Sequence, residues 1–299
     1  MKKVIVDFSW LMYRSYFAYG KMLPKDNGQM ASMFGVLEFI RQVLTAHPRI
    51  KLCFCLDSGS MIRKKELKGY KAQRENKHTK HVFKLKKETI KIGSLDNRVA
   101  FFIADGFEAD DLMAMKAFDT IRKGSDSRDI IIYSGDNDML QLMKEGVYTS
   151  RKFSHKEFEI VKNDYLLKTY EVGNPSYLLE MRSLLGDKSD NIPSAVPRLN
   201  KKAGAVFAKL WADTTFNMAV KCLIKEEGLV GSWVEKINDA KLIVELNYIL
   251  MDLLKYKKPS ACKEISKNIS VLGDKQNKMK TRILLDKYRL NRFKEFLNK

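Results

Sequence analysis

The sequence predicts an α/β protein built on a parallel sheet and followed by a helical C-terminal region. Three observations carry that prediction. Short β-branched runs alternate with helix-spaced stretches through the first half, acidic residues recur directly after those runs, and the strand signal fades beyond about residue 175.

The first strand is expected over 3–6, where Val4, Ile5 and Val6 form an apolar run ending at Asp7. Helix-compatible spacing follows over 10–19 and 32–44, and a second strand over 52–56 ends before Asp57. Strands at 98–103 and 130–133 flank a helix over 109–121, and a weaker strand at 147–149 follows a short helical stretch at 139–143. Crossover helices of this kind cover both faces of a parallel sheet, so its strands can be apolar throughout. At Gly173-Asn174-Pro175 the residue before proline is pushed out of the α region, which breaks the chain. The spacing over 177–185, 203–210, 234–254 and 279–297 then predicts helices, so the expected division is 1–175 and 176–299.

Charge narrows the choice of partners. Among 299 residues, 55 Lys and Arg stand against 36 Asp and Glu, a net charge of +19 that exceeds what solubility requires. A polyanion is the natural partner. No apolar run approaches the roughly 18 residues that would span a bilayer, so nucleic acid is preferred to a membrane. The four scattered cysteines have no metal-site spacing, and the N-terminus lacks the long apolar stretch of a secretory signal, which together suggest a reduced, cytoplasmic protein. The histidines at 47, 78, 81 and 155 show no partner spacing for catalysis or metal binding. Residues 63–91 hold 12 Lys or Arg and 3 Glu, and they read as a basic excursion projecting from the sheet after Asp57.

The acids fall at strand ends. Asp7 and Asp57 close the first two strands, Glu108-Ala109-Asp110-Asp111 opens a helix after the third, and Asp136-Asn137-Asp138 follows the fourth. In an open parallel sheet these ends share one rim, where ligands bind. Asp187 and Asp190 add a doublet just inside the helical half. A single Asp after a strand is usually a cap or turn residue, but carboxylates gathered on one rim repel one another unless cations compensate. No Lys or Arg lies within the strand-end motifs, so a divalent cation is the economical solution, and an oxygen-only set favours Mg²⁺ or Mn²⁺ over zinc. Two such ions could clamp the attacking and leaving oxygens of a phosphoryl displacement.

At these acids the sequence resembles the 5′-nuclease, or flap endonuclease, family, which includes bacteriophage 5′-3′ exonucleases and the nuclease domain of bacterial DNA polymerase I. The segments that carry the resemblance are Ile5-Val6-Asp7-Phe8-Ser9, Gly106-Phe107-Glu108-Ala109-Asp110-Asp111, Ser134-Gly135-Asp136-Asn137-Asp138 and Leu185-Gly186-Asp187-Lys188-Ser189-Asp190-Asn191-Ile192-Pro193. The resemblance implies a PIN-like nuclease core with a basic helical arch over about 58–92. It also implies a helical C-terminal DNA-binding region containing a degenerate helix-hairpin-helix over about 184–210. By it, Asp7, Asp57, Glu108, Asp110 and Asp111 would hold one Mg²⁺, and Asp136, Asp138, Asp187 and Asp190 would hold or orient a second, with Mn²⁺ as a substitute.

Arg63, Tyr70, Lys71 and Arg74 match the arch pattern of that family. Lys71 and Arg74, three apart, would share a helical face and stabilise charge on the scissile phosphate as catalytic residues. Arg63, Lys64, Lys68 and Tyr70 would contact DNA, Tyr70 by stacking on a base. After Pro193 the family's turn glycines are replaced by Arg198 and Asn200, and Arg tolerates positive φ poorly. Arg198, Lys201 and Lys202 are expected to touch duplex backbone through their side chains.

The resulting expectation is a monomeric, metal-dependent 5′-3′ exonuclease and flap endonuclease in the bacterial or phage-infected cytoplasm, acting in DNA replication or repair. Its partner would be DNA with a 5′ single-stranded flap or free 5′ end, with RNA primers in RNA:DNA hybrids as a further substrate. The alternatives are a non-catalytic branched-DNA-binding protein and a PIN-type ribonuclease.

Overall fold

The computed structural model describes residues 2–21, 30–73, 78–225, 232–273 and 278–298. Seven strands form one sheet: β1 (Lys3–Asp7), β2 (Lys51–Leu56), β3 (Val99–Ala104), β4 (Ile130–Tyr133), β5 (Tyr148–Ser154), β6 (Glu157–Ile160) and β7 (Ile269–Leu272), in the order β6-β5-β4-β1-β2-β3-β7. The five inner strands pair in parallel, and β6 and β7 close the two sides as antiparallel strands. All five expected strands are present. The two antiparallel edges were not anticipated.

Alternation along β1 explains why its sequence is apolar without interruption. Val4 and Val6 enter one core with Phe54 and Phe101, while Ile5 enters the other with Cys53, Cys55 and Ile132. Helices α1 (Phe8–Tyr19), α2 (Ala31–Ala46), α3 (Met61–Glu66), α4 (Thr79–Val82), α5 (Lys86–Gly93) and α6 (Ala109–Arg122) occupy the connections. Residues of α1, α2 and α5 fill the first core, and α6 lays Leu112, Met115 and Phe118 onto the second. Phe54 stacks on Phe101 at 4.7 Å between ring centroids, and Phe8 meets both rings edge-on.

The basic excursion does not project as a whole. Val82, Leu85, Ile90 and Ile92 are buried in the first core, so α5 turns its lysines outward and its apolar side to the sheet.

The second half continues through α7 (Asn163–Tyr170), α8 (Leu178–Leu185), α9 (Lys201–Asp213), α10 (Phe216–Lys225), α11 (Ser232–Asp239), α12 (Lys241–Met251), α13 (Pro259–Ser266) and α14 (Lys278–Lys287). Leu184, Phe207, Phe216 and Val244 form a separate helical core. The chain then returns: Leu253, Tyr256 and Ile265 pack under α6, β7 pairs with β3, and Leu285, Leu290 and Phe293 join the first core. A cut at residue 175 therefore divides the sequence without dividing the packing. None of the described helices is long and apolar enough to cross a membrane.

Strand order positions the site. Chain order runs outward from β1 in both directions, to β2 and β3 on one side and to β4 and β5 on the other. That reversal opens a crevice beyond the carboxyl ends of β1 and β4, where Asp7 and the Ser134–Asp138 turn lie.

Candidate active site

A cavity of about 360 Å³ opens there, lined by Asp7, Asp57, Asp110, Asp136 and Asp187 together with Trp10, Tyr13, Lys71 and Asn137. Several of these acids are held in place by hydrogen bonds. Asp7 ends β1 and caps α1, accepting the Trp10 N–H at 2.9 Å and the Ser134 hydroxyl at 3.0 Å. Asp57 accepts from Ser9 Oγ at 2.6 Å and the Ala109 N–H at 2.9 Å, which ties the end of β2 to the starts of α1 and α6. Asp136 accepts the Asp138 N–H at 2.8 Å in a tight turn. Gly135 is required in that turn, because a Cβ there would lie 2.2 Å from the Trp10 indole nitrogen.

Burial, the Asp57 carboxylate and, more weakly, Asp136 push Asp7 up to about 7 against the pull of its two hydrogen bonds. Asp110 is raised well above the ordinary range, chiefly by burial and then by Asp136 and Asp7. Asp138 is pushed up to about 7 by burial, with Arg182 opposing the shift and Asp136, Asp190 and Asp187 adding to it.

The protein's own cations divide the acids into two sets. Arg63 Nη1 lies 2.7 Å from Glu108 Oε2 and 2.6 Å from Asp111 Oδ2, and Lys71 Nζ lies 2.5 Å from Glu108 Oε1 and 3.6 Å from Asp190 Oδ2. Arg182 Nη2 is 2.8 Å from both Asp138 and Asp187. Burial alone would raise Glu108, but Arg63 and Lys71 outweigh it and hold the carboxyl below its usual range. Asp7, Asp57, Asp110 and Asp136 make no ion pair among the described residues, although Lys71 shares their cavity. Glu108 and Asp111 were expected to face a metal; they are instead turned to Arg63, outside the cavity lining.

The donor set fits hard divalent cations. It is made of carboxylate oxygens with Ser and Asn nearby, it contains no His or Cys, and its mutual repulsion is relieved by positive charge. Among the described residues no three such side chains stand in a ready-made liganding set, so the acids ring the cavity without converging on one point.

Three arch expectations are corrected. Arg63 is 6% exposed, with Nε donating to the Leu250 carbonyl and both Nη groups spent on acids, so it cannot reach DNA. Tyr70 is 3% exposed, and its hydroxyl lies 2.9 Å from Glu108 Oε2 and 3.0 Å from Asp190 Oδ2 with one proton to share between them, so its ring is no stacking platform. Lys64 and Lys68 are exposed and able to meet a phosphate backbone. Lys71 does line the cavity, but from a turn with φ +55°, not from a helix. Its N–H donates to the Asp190 carbonyl at 2.8 Å, and Asn191 Nδ2 donates to Gly69 O at 2.7 Å. The helical face proposed for Lys71 and Arg74 is therefore replaced by a turn clasped against the Asp187–Asp190 loop, and Arg74 lies outside the described residues.

In the hairpin region Arg198 adopts φ +58°, keeping the left-handed backbone that a glycine would take. Asn200 is the N-cap of α9 and accepts from Lys202 N. Arg198, Lys201 and Lys202 are exposed, with Lys201 Nζ donating to the Thr169 carbonyl at 3.0 Å.

Sequence reasoning missed Arg182, whose signal was a lone cation inside the apolar helix Leu178–Leu185. It also missed Arg151, which donates to Tyr165 Oη at 2.7 Å and to Asn137 Oδ1 and so braces the turn carrying Asp136 and Asp138. Trp10 is half-buried, packs edge-on against Tyr133 and also lines the cavity.

Residues 2–171 match the model of the family described as 5′-3′ exonuclease, N-terminal resolvase-like domain. The chain is 26% identical over 215 residues to a 5′-3′ exonuclease of Buchnera aphidicola subsp. Schizaphis graminum, covering 70% of each protein. It is 29% identical over 195 residues to DNA polymerase I of Chloroflexus aurantiacus, covering 64% of this chain and 20% of the polymerase. In fold it is similar to a bacteriophage T5 5′-exonuclease solved with divalent zinc ions (TM-score 0.65, 20% identity, 89% of this chain and 97% of that one). It is also similar to the bacteriophage T5 flap endonuclease in a pseudo-enzyme–product complex with DNA and metal ions (TM-score 0.63, 19% identity, 100% of both chains).

Proposed function

The chain belongs to the 5′-3′ exonuclease family, and from that premise we propose that it hydrolyses DNA phosphodiesters at a free 5′ end or beneath a 5′ flap, using Mg²⁺. The observation that carries this reading is the set of Asp7, Asp57, Asp110 and Asp136, brought from four separate segments to one cavity without an ion pair of their own among the described residues.

On this reading those four carboxylates hold one ion, Asp136 moving there from the second site expected for it because it shares the cavity with Asp7, Asp57 and Asp110, and Asp138, Asp187 and Asp190 hold or orient a second, with Glu108 and Asp111 supporting the first site from behind through Arg63. Bound divalent ions supply Lewis-acid polarisation of the phosphodiester and a lowered pKa for an attacking water. The chain's own residues do the rest. Ser134, Ser9 and the Ala109 N–H fix the directions of Asp7 and Asp57 before substrate arrives. Lys71, held by its backbone bond to Asp190, places an ammonium at the cavity wall where phosphate charge develops. Exposed Lys64, Lys68, Arg198, Lys201 and Lys202 attract the duplex backbone without reading its sequence. Mn²⁺ substitutes for Mg²⁺, RNA:DNA hybrids serve as a further substrate, and the protein acts as a cytoplasmic monomer.

The test is cleavage of four substrates, each with Mg²⁺, Mn²⁺ or EDTA: 5′-labelled flap DNA, 3′-labelled duplex, an RNA:DNA hybrid and single-stranded RNA. Metal-dependent cutting of the flap and shortening from the 5′ end are expected. Binding without cutting in every metal would return the protein to the branched-DNA-binding alternative, and cutting of single-stranded RNA alone would favour the ribonuclease.

A further inference from the structure

Arg182 lies between two acids that the proposed function gives to the second ion. Its Nη2 is 2.8 Å from Asp138 Oδ1 and 2.8 Å from Asp187 Oδ2, and its side chain is 5% exposed. Nη1 donates to Tyr170 Oη at 3.0 Å, and Tyr170 is itself buried, so the guanidinium is anchored through the nitrogen that does not meet the acids.

The fit is incomplete on both sides. Asp138 Oδ1 is shielded from solvent and accepts no hydrogen bond, because the Arg182 contact has ion-pair distance without hydrogen-bond geometry, and Arg182 Nε is likewise buried with no acceptor. A buried carboxylate oxygen served only by a misaligned cation is better satisfied by a small ion with no directional requirement. The contrast with Asp7, Asp57, Asp110 and Asp136, which face their cavity with no ion pair among the described residues, is one of kind.

We propose that Arg182 is a built-in cation standing in for the second divalent ion. That ion binds by drawing Asp138 and Asp187 away from the guanidinium, whereas the first ion meets no such competitor. The inference rests on the two-ion reading above. It makes binding stepwise and unequal: a first ion is taken up readily, and a second only against the Arg182 contacts. In the absence of the second ion Arg182 keeps the Asp138 turn and the Asp187 loop from repelling each other, so the site stays assembled between encounters with metal.

The experiment titrates the full chain with Mn²⁺ alone, without DNA, counting bound ions by electron paramagnetic resonance of the free metal. The wild type should show two steps, the second weaker. Arg182→Gln removes the competing charge and should tighten the second step by on the order of tenfold, a coupling of ordinary size, while leaving the first unchanged. Tyr170→Phe, which only frees the guanidinium from its anchor, should shift the second step in the same direction by less. A second step unchanged or weaker in Arg182→Gln, with the first step intact, overturns the proposal. If Arg182→Gln fails to fold by circular dichroism, an unmoved second step in Tyr170→Phe overturns it. A wild-type chain that binds no Mn²⁺ overturns the two-ion reading itself, and this inference with it.

Discussion

Arg63 and Asp111 form a two-pronged ion pair in the interior, with Nη1 2.6 Å from Oδ2 and Nη2 2.9 Å from Oδ1. Removing one member of a buried pair strands the other's charge. Arg63→Ala should therefore cost about 3–5 kcal/mol in urea denaturation. Because the residue is buried, the salt dependence of DNA affinity should not change in any variant fraction that remains folded. A flatter salt dependence would mean that Arg63 reaches the backbone after all.

Asp136 faces the cavity and contributes little to packing. Asp136→Ala should reduce turnover by several orders of magnitude while DNA affinity, carried by the basic surface, stays within about threefold. Single-turnover cleavage and filter binding measure the two separately. An unchanged rate would remove Asp136 from the metal site.

Lys71 contacts Glu108 and lines the cavity, so its charge acts where the substrate's charge changes. Lys71→Ala should slow cleavage roughly a hundredfold with little loss of affinity. Equal losses in rate and affinity would reduce it to a general attractor of DNA.

Asp7 and Asp138 both rise from an ordinary 3.8 to about 7. Between those values the folded, metal-free protein holds protons that the unfolded chain has released. These groups therefore make stability fall as pH climbs from about 4 to about 7, and the loss levels off above that. Thermal melts in EDTA should show the decline, and saturating Mg²⁺ should flatten it. Uptake of the metal near pH 6 should release protons, detectable with an indicator dye.

Arg198 pays a conformational penalty at φ +58°. Arg198→Gly should raise stability by up to about 1 kcal/mol and weaken duplex binding, lowering the salt slope by roughly one ion. Unchanged binding would leave the hairpin without a role in gripping the duplex.

The central strands were legible because burial on both faces demands uninterrupted apolar runs, and the acids were legible because they follow those runs directly. The strands β6 and β7 were not, since Glu-Phe-Glu-Ile and Ile-Ser-Val-Leu are half-exposed edge sequences of four residues each. The fate of Arg63 and Tyr70 was hidden for a different reason. Within a strongly basic segment nothing local separates a buried cation from a solvated one, and the partners that bury Arg63 lie 45 and 48 residues away at Glu108 and Asp111. Lys71 was placed at the cavity correctly but on the wrong scaffold, because its left-handed turn depends on a carbonyl at Asp190.

The pairing of β7 with β3, followed by Phe293 entering the first core, bears on how the polypeptide assembles during synthesis. The catalytic layer lacks an edge strand and part of its interior until residues 269–293 have left the ribosome. A nascent chain halted after α9 would display the unpaired flank of β3, inviting association with other strands. The two halves should accordingly melt in one transition.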